Sequence, residues 1–112
     1  MPSNFDRSVQ SSGLKTVAAS QTDSAIVAAV PGARIRVLGY WANSASTSTF
    51  VFNTKPTGAG SAISPTVTPA ANQNTNISNG GAPIFQTNVG EGLSLTTGAG
   101  GNTGLVVSYV VA

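Results

Sequence analysis

The chain has no cysteine and no histidine, and only eight of its 112 residues carry a charge. Without cysteine there are no disulfide staples and no thiolate metal ligands. Without histidine, imidazole metal sites and Ser-His-Asp or Cys-His catalysis are excluded as well. The carboxylates are Asp6, Asp23 and Glu91 alone, whereas acid/base catalysis normally holds two in a defined geometry with shifted pKa values. Asp6 lies near the start, Asp23 before an expected strand and Glu91 inside a Gly-Glu-Gly turn, all ordinary turn or surface positions. No Asp-x-Asp-x-Asp-Gly spacing suggests calcium. The expectation is a protein that is not an enzyme and has no cofactor and no metal.

Cations are almost as scarce: Arg7, Lys15, Arg34, Arg36 and Lys55 leave a net charge of +2. With so few titrating groups that surplus is enough to give a pI of about 9.5. No run of Lys or Arg exists, so a nucleic-acid partner is not expected. Long apolar stretches are missing too. Residues 25–30 are alanine-rich and end at Pro31, far short of the roughly 20 residues that span a bilayer, so no membrane partner is expected. Residues 1–7 lack the basic start and apolar stretch of a secretory signal, which points to synthesis in the cytoplasm of the producing cell.

What is present is neutral and polar: 40 Ser, Thr, Asn and Gln beside 26 Val, Ile, Leu and Phe. The apolar share suffices for a core, and the length suits one domain. A neutral polar surface suits a protein whose face meets other protein. Helix formers are few, Val, Thr, Ser, Asn and Gly dominate, and turn dipeptides recur at short intervals, so the chain reads as all-β. Strands are expected at 14–18, 24–30, 34–43, 48–53, 62–67, 75–78, 83–88, 92–97 and 104–111. Residues 1–13 read as an extended N-terminal arm, and residues 14–112 as a β-sandwich. The segment 65–79, broken by Pro65 and Pro69, reads as a long connection with a short edge strand.

Alternation assigns the faces. In residues 34–41 it places Ile35, Val37, Gly39 and Trp41 on one side and Arg34, Arg36, Leu38 and Tyr40 on the other. Ile35, Val37 and Trp41 are thereby expected in the core, with Ile26, Leu93, Leu95 and one face of the last strand. That last strand is apolar on both sides, so its second face needs cover from a neighbouring sheet or another subunit. Tyr40 reads as packing or, with Arg34, Arg36 and Tyr109, as part of an oligomer or partner interface, where aromatic and arginine side chains are favoured. A sugar-stacking platform is a further possibility. Gly98 through Gly104 has no following Lys-Ser or Lys-Thr and leads into a strand, so it is a hairpin turn and not a phosphate loop. Asn76-Ile77-Ser78 is a glycosylation match of the kind this composition yields by chance.

The succession from Ala25 to Tyr40, then Phe50-Val51-Phe52, Asn79-Gly80-Gly81, Phe85-Gln86-Thr87, Gly90-Glu91-Gly92-Leu93-Ser94-Leu95 and Val106-Val107-Ser108-Tyr109-Val110 resembles small virion proteins of tailed bacteriophages. The resemblance covers residues 24–111. It implies an antiparallel jelly-roll β-sandwich and a role as a capsid decoration, or cement, protein: a homotrimer on the outer capsid surface, with the major capsid protein as partner. Phe5 would then anchor the arm, with Arg7 and Lys15 drawn to an acidic coat surface. A tail or fibre component, including a host-recognition module that binds carbohydrate, is the alternative. A bacterial carbohydrate-binding or pilus-like sandwich is a third.

Overall fold

Residues 9–78 and 80–112, the parts of the chain described by the computed structural model, form ten strands and no helix. In chain order they are β1 (Gln10–Ser11), β2 (Lys15–Val17), β3 (Ser24–Val27), β4 (Ile35–Ser44), β5 (Phe50–Lys55), β6 (Ser61–Ala62), β7 (Thr75–Ser78), β8 (Phe85–Gln86), β9 (Gly92–Thr97) and β10 (Thr103–Val111). They assemble into two antiparallel sheets packed as a sandwich. The six-stranded sheet runs β1-β10-β4-β7, with β2 also on β10 and β8 also on β4; the four-stranded sheet runs β3-β9-β5-β6. The segment expected as an arm is already strand at Gln10–Ser11, where β1 pairs with Tyr109 and Ser108 of β10. The expected strand at 62–67 is reduced to β6 and a single bridge from Val67 to Phe50.

The long strand β4 organises the larger sheet. It pairs with β10 along its whole length, but Ser108 opposes Gly39 and Tyr109 opposes Val37, so Leu38 has no partner on β10. This is a β-bulge: one extra residue in one strand, after which every side chain changes face. At the same point the other neighbour of β4 changes from β8, paired with Arg36 and Val37, to β7, paired from Gly39 to Ala42. Gly39 is required there, because a Cβ would stand 2.6 Å from the Ile77 carbonyl oxygen of β7.

The bulge reverses the expected faces of two aromatic residues. Ile35 and Val37 face inward before it, and Tyr40, Ala42 and Ser44 face inward after it. Tyr40, placed by alternation on the face of Arg34 and Arg36 and read as packing or as interface, is only 8 % exposed and packs, while Trp41, expected in the core, is 54 % exposed. Inside, Tyr40 meets the other sheet edge-on at Phe50 (ring centroids 5.9 Å apart) and tilted at Phe52 (5.0 Å), with Phe85 5.0 Å beyond Phe52. Edge and tilted contacts of this kind suit the ring quadrupole. Burial pushes the Tyr40 phenol above its ordinary value. Ile26, Leu93 and Leu95 are buried as alternation predicts, and on β10 the buried face is Leu105 and Val107.

Candidate functional site

The outer face of the six-stranded sheet follows from the register. Directly opposed residues share a face, so three rungs lie on the outside: Gly104 with Asn43, Val106 with Trp41 and Asn76, and Ser108 with Gly39 and Ser78. Small residues on the Ser108 rung leave a depression, and the large indole on the next rung stands beside it. The result is an open hollow of ≈ 470 Å³, lined by Val9, Leu38, Gly39, Trp41, Asn76, Val106 and Ser108 among others. A smaller one of ≈ 130 Å³ lies on the other side, lined by Leu14, Trp41, Asn43, Gly104 and Val106. Trp41 and Val106 belong to both.

This surface gathers most of the exposed large apolar side chains. Among the described residues these are Val9, Leu14, Trp41, Ile77 and Val89, and all but Val89 line one of the two hollows. Leu14 is 75 % exposed and Val9 62 %. Among the described residues, no charged side chain lines either hollow.

The residues singled out from sequence do not form one patch. Phe5 and Arg7 lie outside the described residues. Lys15 sits on β2 opposite Leu105. Arg34 donates from Nη1 to the Thr87 carbonyl oxygen (3.2 Å). Arg36 is half-buried between Gln86 and Val110, with its Nε buried and unpartnered. Tyr40 is in the core, and Tyr109 is half-buried against it. Trp41, Leu14 and Val9 replace them as the conspicuous surface groups. The sequence signal for this was Gly39, since a glycine inside a strand pattern marks a bulge or a close backbone approach.

A second polar cluster sits on the outside of the four-stranded sheet. The Asp23 carboxylate accepts from the Gly60 amide (3.0 Å), Ser94 Oγ (3.1 Å) and Asn53 Nδ2 (3.1 Å). Donation from the Gly60 amide holds the carboxyl below its ordinary range against the opposing effect of partial burial, with help from Ser94, the Lys55 charge and Asn53. The Lys55 ammonium is capped by the carbonyl oxygens of Pro56, Thr57 and Gly58. Glu91 lies apart, accepting from Thr54 Oγ1 (2.8 Å). These contacts tie β3, β5, β9 and the loop after β5 together, a structural task. No group of three or more His, Cys, Asp or Glu that could hold a metal occurs among the described residues.

No protein-family model matches the chain, and no curated protein matches it in sequence. Among solved structures it is similar to one of Bacillus endospore appendages that form disulfide-linked pili, at 12 % identity and a TM-score of 0.35, over 100 % of this chain and 96 % of that one. It is also similar to one of infectious bursal disease virus Gx strain, at 11 % identity and a TM-score of 0.26, over 96 % of this chain and 38 % of that one. Likenesses this distant carry no argument about role.

Proposed function

We propose that the chain is a structural virion protein of a tailed bacteriophage, a decoration protein that binds the outer capsid surface as a homotrimer and stabilises the shell. The observation that carries this reading is the outer face of the six-stranded sheet: Val9, Leu14 and Trp41 gather there around two hollows with no charged lining among the described residues. Exposed apolar groups clustered on one neutral face are what a protein contact uses, and they are a liability on a solitary molecule. The major capsid protein is the partner, engaged through the N-terminal residues that include Phe5, Arg7 and Lys15. A trimer binding three equivalent sites gains avidity without any new contact. It needs no cofactor.

A tail or fibre module is the second reading. The observation in its favour is the exposed Trp41 indole beside Asn76, Ser78 and Ser108, a platform of the kind on which a sugar ring stacks. Antibody labelling of intact virions separates the two. Label spread over the capsid with many copies per particle supports decoration, and label confined to the tail overturns it.

A further inference from the structure

We propose that Asp23 and Gly60 form an acid-released latch: the carboxylate holds the end of the loop after β5 against the four-stranded sheet and lets go of it on taking up a proton. The latch lies on the other side of the sandwich from Trp41 and does not depend on what the larger sheet meets.

The loop, residues 56–60, is pinned at both ends. At its start the Lys55 ammonium is capped by the carbonyl oxygens of Pro56, Thr57 and Gly58, and an ammonium keeps its charge throughout the acid range. At its end the Gly60 amide donates to Asp23 Oδ2 (3.0 Å). Beyond Gly60, β6 adds the short ladder of Ala62 with Asn53 and Ser61 with Thr54. Asn53 and Ser94, opposed on β5 and β9, share the outer face of this sheet and are nevertheless buried.

The two carboxylate oxygens are not equivalent. Oδ1 accepts from both Ser94 Oγ (3.1 Å) and Asn53 Nδ2 (3.1 Å), and Oδ2 accepts from the Gly60 amide. Each carboxylate oxygen offers about two lone-pair sites, so Oδ1 is full, Oδ2 has room, and the proton goes to Oδ2. That oxygen then becomes a hydroxyl and loses the charge that strengthens its bond to the Gly60 amide. Oδ1 becomes the carbonyl oxygen and keeps its two donors. Asp23 therefore stays docked on β5 and β9 while the end of the loop is freed.

The backbone is set for this arrangement. Asp23 has φ 52°, a left-handed conformation that costs a non-glycine residue and persists where its surroundings fix it. Its own amide donates to Thr96 Oγ1 (3.2 Å). Position 60 excludes a side chain, because a Cβ there would collide with Asp23 Oδ1. Lys55 on β5 is the charged group that acts on the carboxyl, and β3, β9 and the loop present uncharged residues to it. The Gly60 amide, followed by Ser94, the Lys55 charge and Asn53, holds the carboxyl below its ordinary value of 3.8 against partial burial. The latch is thus closed at neutral pH and opens as pH falls through a value under 3.8.

The test is an acid titration of the full-length chain followed by amide NMR. The Gly60 amide proton is expected to move upfield in a single step below pH 3.8. The heteronuclear NOEs of Thr57 and Ala59 are expected to drop in the same step, and the Asn53 side-chain amide to stay where it is. Asp23→Asn, which cannot take up the proton, is expected to abolish the step, whereas Asp6→Asn and Glu91→Gln, which remove the other two carboxylates, are expected to keep it. Gly60→Ala pushes the carboxylate aside without acid, and is expected to show the low loop NOEs already at neutral pH with the strand resonances unchanged. An Asn53 amide that moves in place of Gly60, a step that survives Asp23→Asn, a loop as ordered in Gly60→Ala as in wild type, or a Gly60 signal lost only together with those of the core strands would each overturn the inference.

Discussion

Asp23 is the hub of the polar cluster on the four-stranded sheet. Its carboxylate receives a backbone amide from the loop after β5 and side chains from β5 and β9, and its pKa lies below the ordinary value of 3.8. A carboxylate depressed on folding stabilises the folded state at pH above its unfolded pKa, and that contribution fades as pH falls through the folded value. Asp23→Ala is therefore expected to lower the urea midpoint at pH 7, with the difference from wild type shrinking as pH is taken below 3.8. A difference that stays constant with pH would mean that the charge contributes nothing. Phe52, fully buried between Tyr40 and Phe85, stands at the other extreme. Phe52→Ala is expected to cost about 3–5 kcal/mol in urea unfolding, through lost burial and the cavity left behind. At Gly39 the constraint is backbone, because a methyl group there meets the Ile77 carbonyl. Gly39→Ala is expected to cost about 1–3 kcal/mol by overpacking, and an unchanged unfolding midpoint would show that β7 yields freely.

The bulge in β4 is the decisive element. Leu38 without a partner shifts the phase of the strand, so Tyr40 enters the core and Trp41 leaves it. Deleting Leu38, the extra residue, would leave Val37, Gly39, Tyr40 and Trp41 in plain alternation on the existing register, with Tyr40, Ala42 and Ser44 still inward. The deletion is therefore expected to keep Trp41 exposed and to cost less than Leu95→Ala, itself worth about 2–5 kcal/mol, as measured by urea unfolding followed at Trp41. A deletion variant whose Trp41 emission moves to the shorter wavelength of a buried indole would contradict the role given to the bulge. The same element marks how far the sequence was legible. Residues 75–78 and 92–97 were read with their observed bounds, and the inward leucines of β9 followed from a clean period of two. Phase within a strand depends on whether the ladder inserts an extra residue, which neighbouring strands decide at long range. Alternation carried through Gly39 therefore placed both aromatics on the wrong side, and with them the candidate site. β1 escaped notice because two polar residues have no pattern, and only the edge of β10 makes them a strand.

At the scale of the whole molecule, the two faces of the sandwich have different surfaces. The four-stranded sheet covers its outside with the Asp23 cluster, whose polar groups are satisfied within the chain. The six-stranded sheet leaves apolar groups exposed around Trp41, beside a hollow with no charged lining among the described residues. Intramolecular satisfaction on one side and exposed apolar groups on the other make the outer face of the larger sheet the one suited to meet another protein surface, as the proposed decoration role requires. A subunit that binds an assembled lattice and not dispersed coat protein stabilises the lattice by mass action. The most direct measurement is to mix the purified chain with capsids assembled without it, and to record both occupancy and the temperature at which the shells are disrupted. Saturable binding at a fixed number of copies per shell, with disruption moved to higher temperature, is the predicted result; shells that bind none of it, or bind it and break at an unchanged temperature, would contradict the account.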